Sequence, residues 1–373
     1  MNELLIGFTS LGWQELVMYL IGAVLIWLAV SKEYEPMLLL PIGFGAILAN
    51  LPLHVVIEHE GTAGFLKILF DAGIMTELFP ILIFVAVGAM IDFGPLFKNP
   101  SMIFFGAAAQ FGIFATILGA LALGFDLKVA SAIGIIGAAD GPTSIYVATR
   151  FAKDYIGPIS VAAYSYMSLV PIIQPPVIRL LTTSKERKIK MTYHEAGVPR
   201  YLKIIFPIVV TMISAFVAPI SAPLIGSLMF GNLIRESGVL ERLSQAAQNE
   251  LANLVTLLLG ITIGSTMTAA KFLDWTTLMI LGLGLLAFVF DTAGGVLFAK
   301  LLNLFRKEKI NPMIGACGIS AFPMSARVIQ KMAQEEEKGN IILMQAVGAN
   351  VAGQLGSIVA GGLVLALVPM LMK

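Results

Sequence analysis

Apolar segments follow one another along almost the whole chain, and only short polar connections separate them. Hydrophobic residues make up 58% of the 373 residues, and charged residues only 13%. A soluble globular domain carries roughly 25% charged residues, so the polar residues here are too few to cover a water-facing surface. The sequence therefore predicts a multi-pass protein of the cell (inner) membrane, with one integral membrane domain over residues 1–373 and lipid around it.

The charge balance and the single cysteine exclude other classes of protein. A net charge of +1 provides no basic surface for nucleic acid, so no nucleic-acid partner is expected. Cys317 is the only cysteine, which rules out an internal disulfide and a cysteine-based metal cluster.

Several apolar segments are too short, or too rich in Gly and Pro, to be simple spanning helices. Residues 63–76 and 78–91 are short, and residues 128–151 and 155–182 are interrupted by proline. Backbone groups freed at membrane depth must find partners in protein or water. Broken segments in corresponding positions of two halves indicate the binding site of a transporter.

The chain contains two such halves. Phe97 and Phe272 each begin an apolar span that is followed by a charged corner, a glycine-rich run and a proline among small polar residues. The halves predict pseudo-repeats over about residues 63–182 and 251–371, with equivalent pairs Pro142 and Pro323, Ser144 and Ser325, Arg150 and Lys331.

The charged corners indicate how the repeats are oriented. The corner at residues 125–128 is FDLK, whereas that at 306–309 is RKEK, and residues 184–203 form the most charged loop. Cytoplasmic loops collect Lys and Arg, so the second corner and the 184–203 loop are predicted to be cytoplasmic and the first corner external. The predicted fold is all-α, with two inverted repeats and broken or re-entrant helices around a midplane cation site.

Asp140 is a carboxylate in an otherwise apolar run, GIIGAADGPTSIYVATR (134–150). An ion at this depth costs several kcal/mol unless it has partners. One interpretation is an N-cap that accepts backbone N–H groups. A cation site also explains why the break lies inside a span, because a broken helix offers free carbonyls beside the carboxylate.

Neutral oxygen ligands come from the second half. Asn311, Ser320 and Asn350, with one Asp and backbone carbonyls, suit Na⁺ better than a divalent metal, which normally gathers more carboxylates. Hydrogen bonding between helices is the alternative for Ser320 and Asn350. Arg327 is either a snorkelling residue at a helix end, a counter-charge near Asp140, or a gate residue that competes with the cation.

Four motifs carry a resemblance over nearly the whole chain: GAADGPTSIYVATR, AAYSYMSLVPIIQPP, KINPMIGACGISAFPMSARV and GANVAGQLGSIVAGG. In this order they resemble the β subunit of the sodium-pumping biotin-dependent decarboxylases, which act on oxaloacetate, methylmalonyl-CoA or glutaconyl-CoA. The resemblance implies a translocase subunit that decarboxylates carboxybiotin, exports Na⁺ and consumes a proton from outside. It also implies a carboxyltransferase α subunit, a biotin carrier subunit, a small γ/δ-type membrane subunit and an oligomer.

The resemblance assigns roles to positions that match the family motifs. Asp140 becomes a central Na⁺ ligand, with Asn311, Ser320 and Asn350 as further ligands. Asp140, Tyr166 and Arg327 become the residues that exchange Na⁺ and a proton, and the supporting positions are Gly141, Ser144, Tyr164 and Gly315. Two other classes stay open at this point: a sodium-coupled secondary transporter of inverted-repeat architecture, and a structural membrane subunit without an ion site.

Overall fold

The computed structural model describes residue 7 and residues 10–59, 61–191 and 197–372. These residues are almost entirely helical, and the strands β1 (Glu58–His59) and β2 (Thr62–Ala63) form one short antiparallel pair. The helices of the first half are α1 (Trp13–Lys32), α2 (Pro36–Ala49), α3 (Phe65–Leu69), α4 (Leu78–Met90), α5 (Gly94–Lys98), α6 (Ile103–Ala109), α7 (Phe111–Ala122), α8 (Leu127–Gly134), α9 (Gly141–Phe151), α10 (Ile156–Ser168) and α11 (Val170–Leu181).

A short helix within the charged loop, α12 (Ser184–Arg187), leads into the second half. The helices that follow are α13 (Arg200–Val217), α14 (Ala222–Ser237), α15 (Glu241–Ala246), α16 (Ala252–Ser265), α17 (Ala269–Phe272), α18 (Trp275–Phe305), α19 (Met324–Glu336) and α20 (Leu343–Leu371). Residues 192–196 of the predicted cytoplasmic loop lie outside the described residues.

The described helices confirm an all-α, multi-pass membrane protein. Six are long and apolar enough to cross a membrane, or up to eight if each bent pair counts as one span. The bent pairs include α10 and α11, which meet at 69°. Only 6% of the best window in α13 is buried, against 72% in α20, so α13 lies at the periphery and α20 at the centre.

The first broken segment is a hairpin that returns to the end where it begins. It consists of α8, a 3₁₀ turn (Ile135–Ala138) and α9, and Asp126 caps its first helix by accepting the N–H groups of Lys128 and Val129. Asp126 and Tyr155, on either side of the hairpin, line the same cleft as Thr276 at the start of α18. Residues 125–155 therefore enter and leave near one end of α18.

The second broken segment is a hairpin at the other end of α18. It consists of a 3₁₀ segment (Pro312–Gly318) and α19. Asn303 near the end of α18 donates to the Ile310 carbonyl at 2.7 Å. Asn311 and Glu336, on either side of the hairpin, both contact Arg187 in the charged loop.

The two corners thus lie at opposite ends of one helix, as the difference in their charges predicts. The helix α18 has 31 residues, and at 1.5 Å per residue it is about 46 Å long, enough to span a bilayer. We call the end that carries Arg187 and residues 306–309 the basic end. This arrangement agrees with inverted repeats, whose bounds remain a prediction.

Ion pairs at the basic end fasten the charged loop to the second hairpin. Arg187 Nε lies 2.5 Å from Glu336 Oε1, with both side chains largely buried, and the Ser184 hydroxyl donates to Glu336 at 2.7 Å. These contacts, the Ser184 bond above all, lower the pKa of the Glu336 carboxyl. Their stabilising contribution is therefore present above the ordinary glutamate pKa and is lost as the pH falls through the lowered value.

We expect Glu336→Gln to loosen the charged loop, because the Arg187 guanidinium loses its charged partner. The expected cost is roughly 1–2 kcal/mol, measured at pH 7 as a several-fold faster tryptic cleavage within residues 187–203. Glu335→Gln is the matched control, since the Arg179–Glu335 pair is half-exposed and 3.3 Å long, and such pairs contribute little. Equal cleavage rates in the two variants would contradict the expectation.

Candidate functional site

Asp140 lies at the tip of the first hairpin and caps the helix that leaves it. Its Oδ1 accepts the N–H of Thr143 at 3.1 Å, and its backbone carbonyl accepts the Ser144 hydroxyl at 2.8 Å. Asp140 is therefore an N-cap, as one of the two interpretations predicted. The cap uses only one carboxylate oxygen, and the side chain is 97% buried.

The other oxygen, Oδ2, receives three donors from the second half of the chain. The Ser357 hydroxyl donates at 2.7 Å, the Ser320 hydroxyl at 3.1 Å and the Gln354 amide at 3.4 Å. Ser320 belongs to the tip of the second hairpin, and the other two lie on α20. One carboxylate thus joins both hairpins and the central helix.

The hairpin tips also meet through the backbone. The N–H of Ser320 donates to the Ala138 carbonyl at 2.9 Å. Asn350 on α20 donates from Nδ2 to the Ile319 carbonyl at 2.7 Å. Among the described residues, Asn350 Oδ1 is buried and forms no hydrogen bond, and the buried Thr143 Oγ1 lies beside Asp140 without a hydrogen bond of good geometry. Two oxygens with free lone pairs therefore lie near the point where the tips cross.

A cavity of 430 Å³ leads to Asp140 from one side. Its far end includes Glu35 just before α2 and Met90 at the end of α4. This is the basic end, because Pro95, just beyond Met90, lies beside Gly348 near the start of α20, where Gln345 donates to the Met191 carbonyl of the charged loop. The polar residues that line the cavity include no Lys or Arg: Glu35, Asp140, Tyr164, Gln248, Asn253, Thr256, Ser320 and Gln354.

The two tyrosines of the YSY motif lie apart. Tyr164 lines the cavity beside Asp140, and its ring lies so close to Gly141 that a Cβ at that glycine would overlap it. The Tyr166 hydroxyl donates to the Leu281 carbonyl on α18 at 2.5 Å. Tyr166 packs against a buried cluster that includes Ala139, at the tip of the first hairpin, and Phe288 of α18. Tyr164 is thus a wall of the cavity, whereas Tyr166 supports the tip.

The remaining predicted residues are not brought to Asp140 in this structure. Asn311 donates to the carbonyls of Arg187 and Ile189 at 2.8 and 3.0 Å and caps its own 3₁₀ segment at the basic end. Arg327 is exposed on the first turn of α19. Gly315 packs backbone to backbone against Gly295 of α18. Their predicted roles as a ligand, a charge and a support remain predictions.

Sequence reasoning missed Gln354 and Ser357, although both lie in the quoted GANVAGQLGS motif. Asn350, Gln354 and Ser357 are spaced by four and three residues, which places them on one face of a helix. A polar stripe on an apolar span was the signal that would have identified them.

Each half also sends a glutamine to the opposite hairpin. Gln354 of the second half reaches Asp140 in the first hairpin. Gln174 of the first half donates to the Ala316 carbonyl at 2.9 Å and accepts the Ser325 hydroxyl at 2.9 Å in the second hairpin. The two hairpins are therefore held reciprocally, and only the first carries a carboxylate at its tip.

The donor set suits a monovalent hard cation. It offers one carboxylate, serine hydroxyls and amide oxygens, and hydroxyls that donate to Oδ2 can turn their lone pairs to a cation. Within the described part of the chain, no group of three or more His, Cys, Asp or Glu side chains lies where it could hold a metal ion. Oxygen ligands from broken helices at the junction of two repeats are typical of Na⁺ sites in transporters.

Ser357→Ala should weaken cation binding, because Asp140 Oδ2 loses its shortest hydrogen bond and the site loses one oxygen. We expect the Na⁺ concentration that half-saturates activity to rise about tenfold, corresponding to about 1.4 kcal/mol. The control is Ser227→Ala, since the Ser227 hydroxyl is exposed and bonds only within α14. An unchanged Na⁺ dependence in Ser357→Ala would remove this serine from the site.

The chain is similar to known membrane subunits of decarboxylases. A family model described as the Na⁺-transporting oxaloacetate decarboxylase beta subunit matches residues 14–368. The glutaconyl-CoA decarboxylase subunit beta of Acidaminococcus fermentans is 52% identical over 362 residues, which cover 97% of this chain and 95% of that one. The methylmalonyl-CoA decarboxylase subunit beta of Veillonella parvula is 51% identical, covering 97% and 95% of the two chains. The oxaloacetate decarboxylase beta chain of Klebsiella pneumoniae is 45% identical, covering 96% of each. The chain therefore belongs to the family of β subunits of sodium-transporting decarboxylases.

Proposed function

We propose that this chain binds Na⁺ at Asp140 from the basic end and exports it, using the decarboxylation of carboxybiotin that a partner subunit presents. The observation that carries the proposal is a buried carboxylate, held by both hairpins, at the closed end of a cavity that opens at the basic end. By the positive-inside rule this end is cytoplasmic. The structure then corresponds to a state open to the cytoplasm.

The carboxylate binds either Na⁺ or a proton, and this competition is the proposed basis of coupling. An ionised Asp140 needs a cation in a site that is shielded from water. Na⁺ satisfies it with help from Ser320, Ser357 and Asn350, and a proton satisfies it by making it neutral. Each occupant excludes the other, so proton arrival releases Na⁺.

Decarboxylation consumes the proton. The bond between the biotin nitrogen and the carboxyl carbon breaks, CO₂ leaves, and the nitrogen retains the electron pair and takes up a proton. Tyr166 supports the hairpin tip that carries Asp140, and the exposed Arg327 supplies a positive charge on the second hairpin. We propose that Arg327 competes with Na⁺ when the hairpins move.

Other subunits must supply the reaction steps that this chain does not perform. The cavity offers the carboxylates of Glu35 and Asp140 and neutral oxygens but no described group that would act on the decarboxylase substrate itself. We propose a carboxyltransferase α subunit for that step, a biotin carrier subunit that reaches the basic end, a small γ/δ-type membrane subunit, and an oligomeric assembly.

The test is sodium transport by the reconstituted complex. Proteoliposomes that contain the full complex should accumulate radioactive sodium only when the decarboxylase substrate is added, and avidin, which sequesters biotin, should abolish the accumulation. A sodium-coupled secondary transporter would instead move Na⁺ with a co-substrate gradient and would ignore avidin. That outcome would contradict the proposal.

A further inference from the structure

The helix α9 carries a polar stripe that leads from Asp140 away from the basic end. Thr143, Tyr146 and Arg150 follow Asp140 at intervals of three, three and four residues. This spacing keeps them near one face of the helix and separates successive residues by about 4.5 to 6 Å along its axis. Helix α9 is buried from Thr143 to Thr149, and Arg150 is exposed.

The two hydroxyls of the stripe lack a hydrogen bond of good geometry. Thr143 Oγ1 and Tyr146 Oη are buried without such a partner among the described residues, although Asp140 lies beside the Thr143 hydroxyl and the Glu77–Arg150 pair beside that of Tyr146. Buried hydroxyls are normally bonded, and each exception calls for an explanation. The hydroxyl of Thr149, which lies off the stripe on the same helix, follows the rule by donating to the Ile145 carbonyl at 2.8 Å.

The stripe ends at an ion pair. Arg150 binds Glu77, at the start of α4, through Nε and through Nη2, the latter at 3.0 Å from Oε2. The Arg150 guanidinium also lies over the Tyr146 ring, 5.9 Å from its centre. The Arg150 side chain is 44% exposed and that of Glu77 11%. The pair thus separates the buried hydroxyls from the surface.

Direction along α9 is fixed by its neighbours. Asp140 contacts Gln354 and Ser357 of α20, and Thr143 lies beside Gly361, one turn further from the basic end. Beyond α9, the chain reaches Tyr155 in the cleft beside Asp126 and Thr276, at the opposite end of α18. The stripe therefore runs from the cation site to the external end.

We propose that Thr143 and Tyr146 form a proton relay from the external side to Asp140, closed at its entrance by the Glu77–Arg150 pair. Each hydroxyl passes its own proton inward and takes another from the outer side, so no bond other than O–H changes. Tyr and Thr hydroxyls suit this task because each donates one hydrogen bond and accepts others. The proposal rests on the proposed role of Asp140.

The charged and titratable groups around the stripe are few. Helices α4, α8, α10 and α20 pack against α9. Glu77 precedes α4 at the outer end, Tyr164 of α10 faces the inner end, and α20 contributes the neutral Gln354 and Ser357. Asp140 and Arg150 are the ionisable ends of the stripe itself, and Lys153, Asp154 and Tyr155 follow its outer end. Asp291 of α18 is a second buried carboxylate that lies against Gly137 in the hairpin turn, so Asp140 is the carboxylate on the stripe itself.

Tyr146→Phe tests the relay, because it removes one hydroxyl and keeps the ring. In proteoliposomes with the full complex, we expect substrate-driven turnover to fall at least tenfold and to lose its dependence on external pH, which is here the pH of the vesicle lumen where Na⁺ accumulates. Half-saturation by Na⁺ in the bulk medium, which faces the basic end, should stay within twofold of the wild-type value. Thr149→Val is the matched control, with wild-type turnover expected.

Wild-type turnover with unchanged dependence on external pH in Tyr146→Phe would overturn the relay. If Na⁺ protects Tyr146→Phe against thermal unfolding, the variant is folded. If that protection is lost, the same measurements of turnover and its dependence on external pH are made on Thr143→Val. A different result would show that Asp140 does not bind Na⁺: Na⁺ would still protect Asp140→Asn against thermal unfolding, whatever the turnover of Tyr146→Phe. The failure of the relay and the failure of the Na⁺ site can therefore be told apart.

Discussion

Asp140→Asn is expected to abolish both Na⁺ transport and Na⁺-dependent decarboxylation, with a loss of at least 100-fold in the turnover of the reconstituted complex. Asparagine can still cap α9 by accepting the Thr143 N–H, so the helix should form. It carries no negative charge for Na⁺ and cannot take up a proton on its oxygen. The measurement is substrate-driven uptake of radioactive sodium alongside CO₂ release.

Asp126→Asn is the matched control for this variant. Asp126 also caps a helix of the first hairpin, accepting two backbone N–H groups, but it lies at the external end. Both variants exchange a capping aspartate for asparagine, so a defect confined to Asp140→Asn isolates the charge at the tip. Retained Na⁺-dependent decarboxylation in Asp140→Asn would contradict the coupling scheme.

Gly315→Ala is expected to cost about 2 kcal/mol or more of stability and to deplete the folded protein. A Cβ at Gly315 would overlap the Gly295 backbone of α18, and a Cβ at Gly295 would overlap Gly315 in turn. Both positions belong to buried, packed elements, and overpacking such a contact forces the backbone apart. Thermal unfolding in detergent, followed by the yield of monodisperse protein, measures the effect.

Gly282→Ala serves as the control because Gly282 lies on the same helix, α18, and a Cβ there would meet nothing within 4 Å. Alanine at that exposed helical position should be neutral or slightly stabilising, since glycine costs helices roughly 0.5–1 kcal/mol. Equal stability of Gly315→Ala and Gly282→Ala would show that the second hairpin does not depend on close contact with α18.

The architecture could be predicted from the sequence because hydrophobicity and charge, which can be read from short segments, constrain a membrane fold strongly. Apolar runs with few charges leave no alternative to membrane helices, and three basic residues at 306–309 against a single lysine beside an aspartate at 125–128 indicated opposite sides. The structure places these corners at opposite ends of α18, in agreement with that asymmetry. The predicted meeting of Asp140 with the second half is also present, through Ser320.

Contacts inside the site were harder to predict, because they depend on depth and direction. Ser144 and Ser325 are predicted to be equivalent, yet Ser144 bonds the cap of its own helix and Ser325 bonds Gln174. Asn311 occupies a motif position but lies at the basic end, one hairpin arm away from the tip. A sequence motif does not indicate how deep a residue lies in the membrane. The spacing of Asn350, Gln354 and Ser357 by four and three residues, in contrast, does indicate that they share one face of a helix.

Direct binding of radioactive sodium to the purified complex tests the central claim, that Asp140 is where Na⁺ binds. Equilibrium binding should be saturable in the wild-type protein and in Asp126→Asn, should weaken as protons compete at lower pH, and should fall to background in Asp140→Asn. Saturable binding of undiminished affinity in Asp140→Asn would place the Na⁺ site elsewhere and contradict the account.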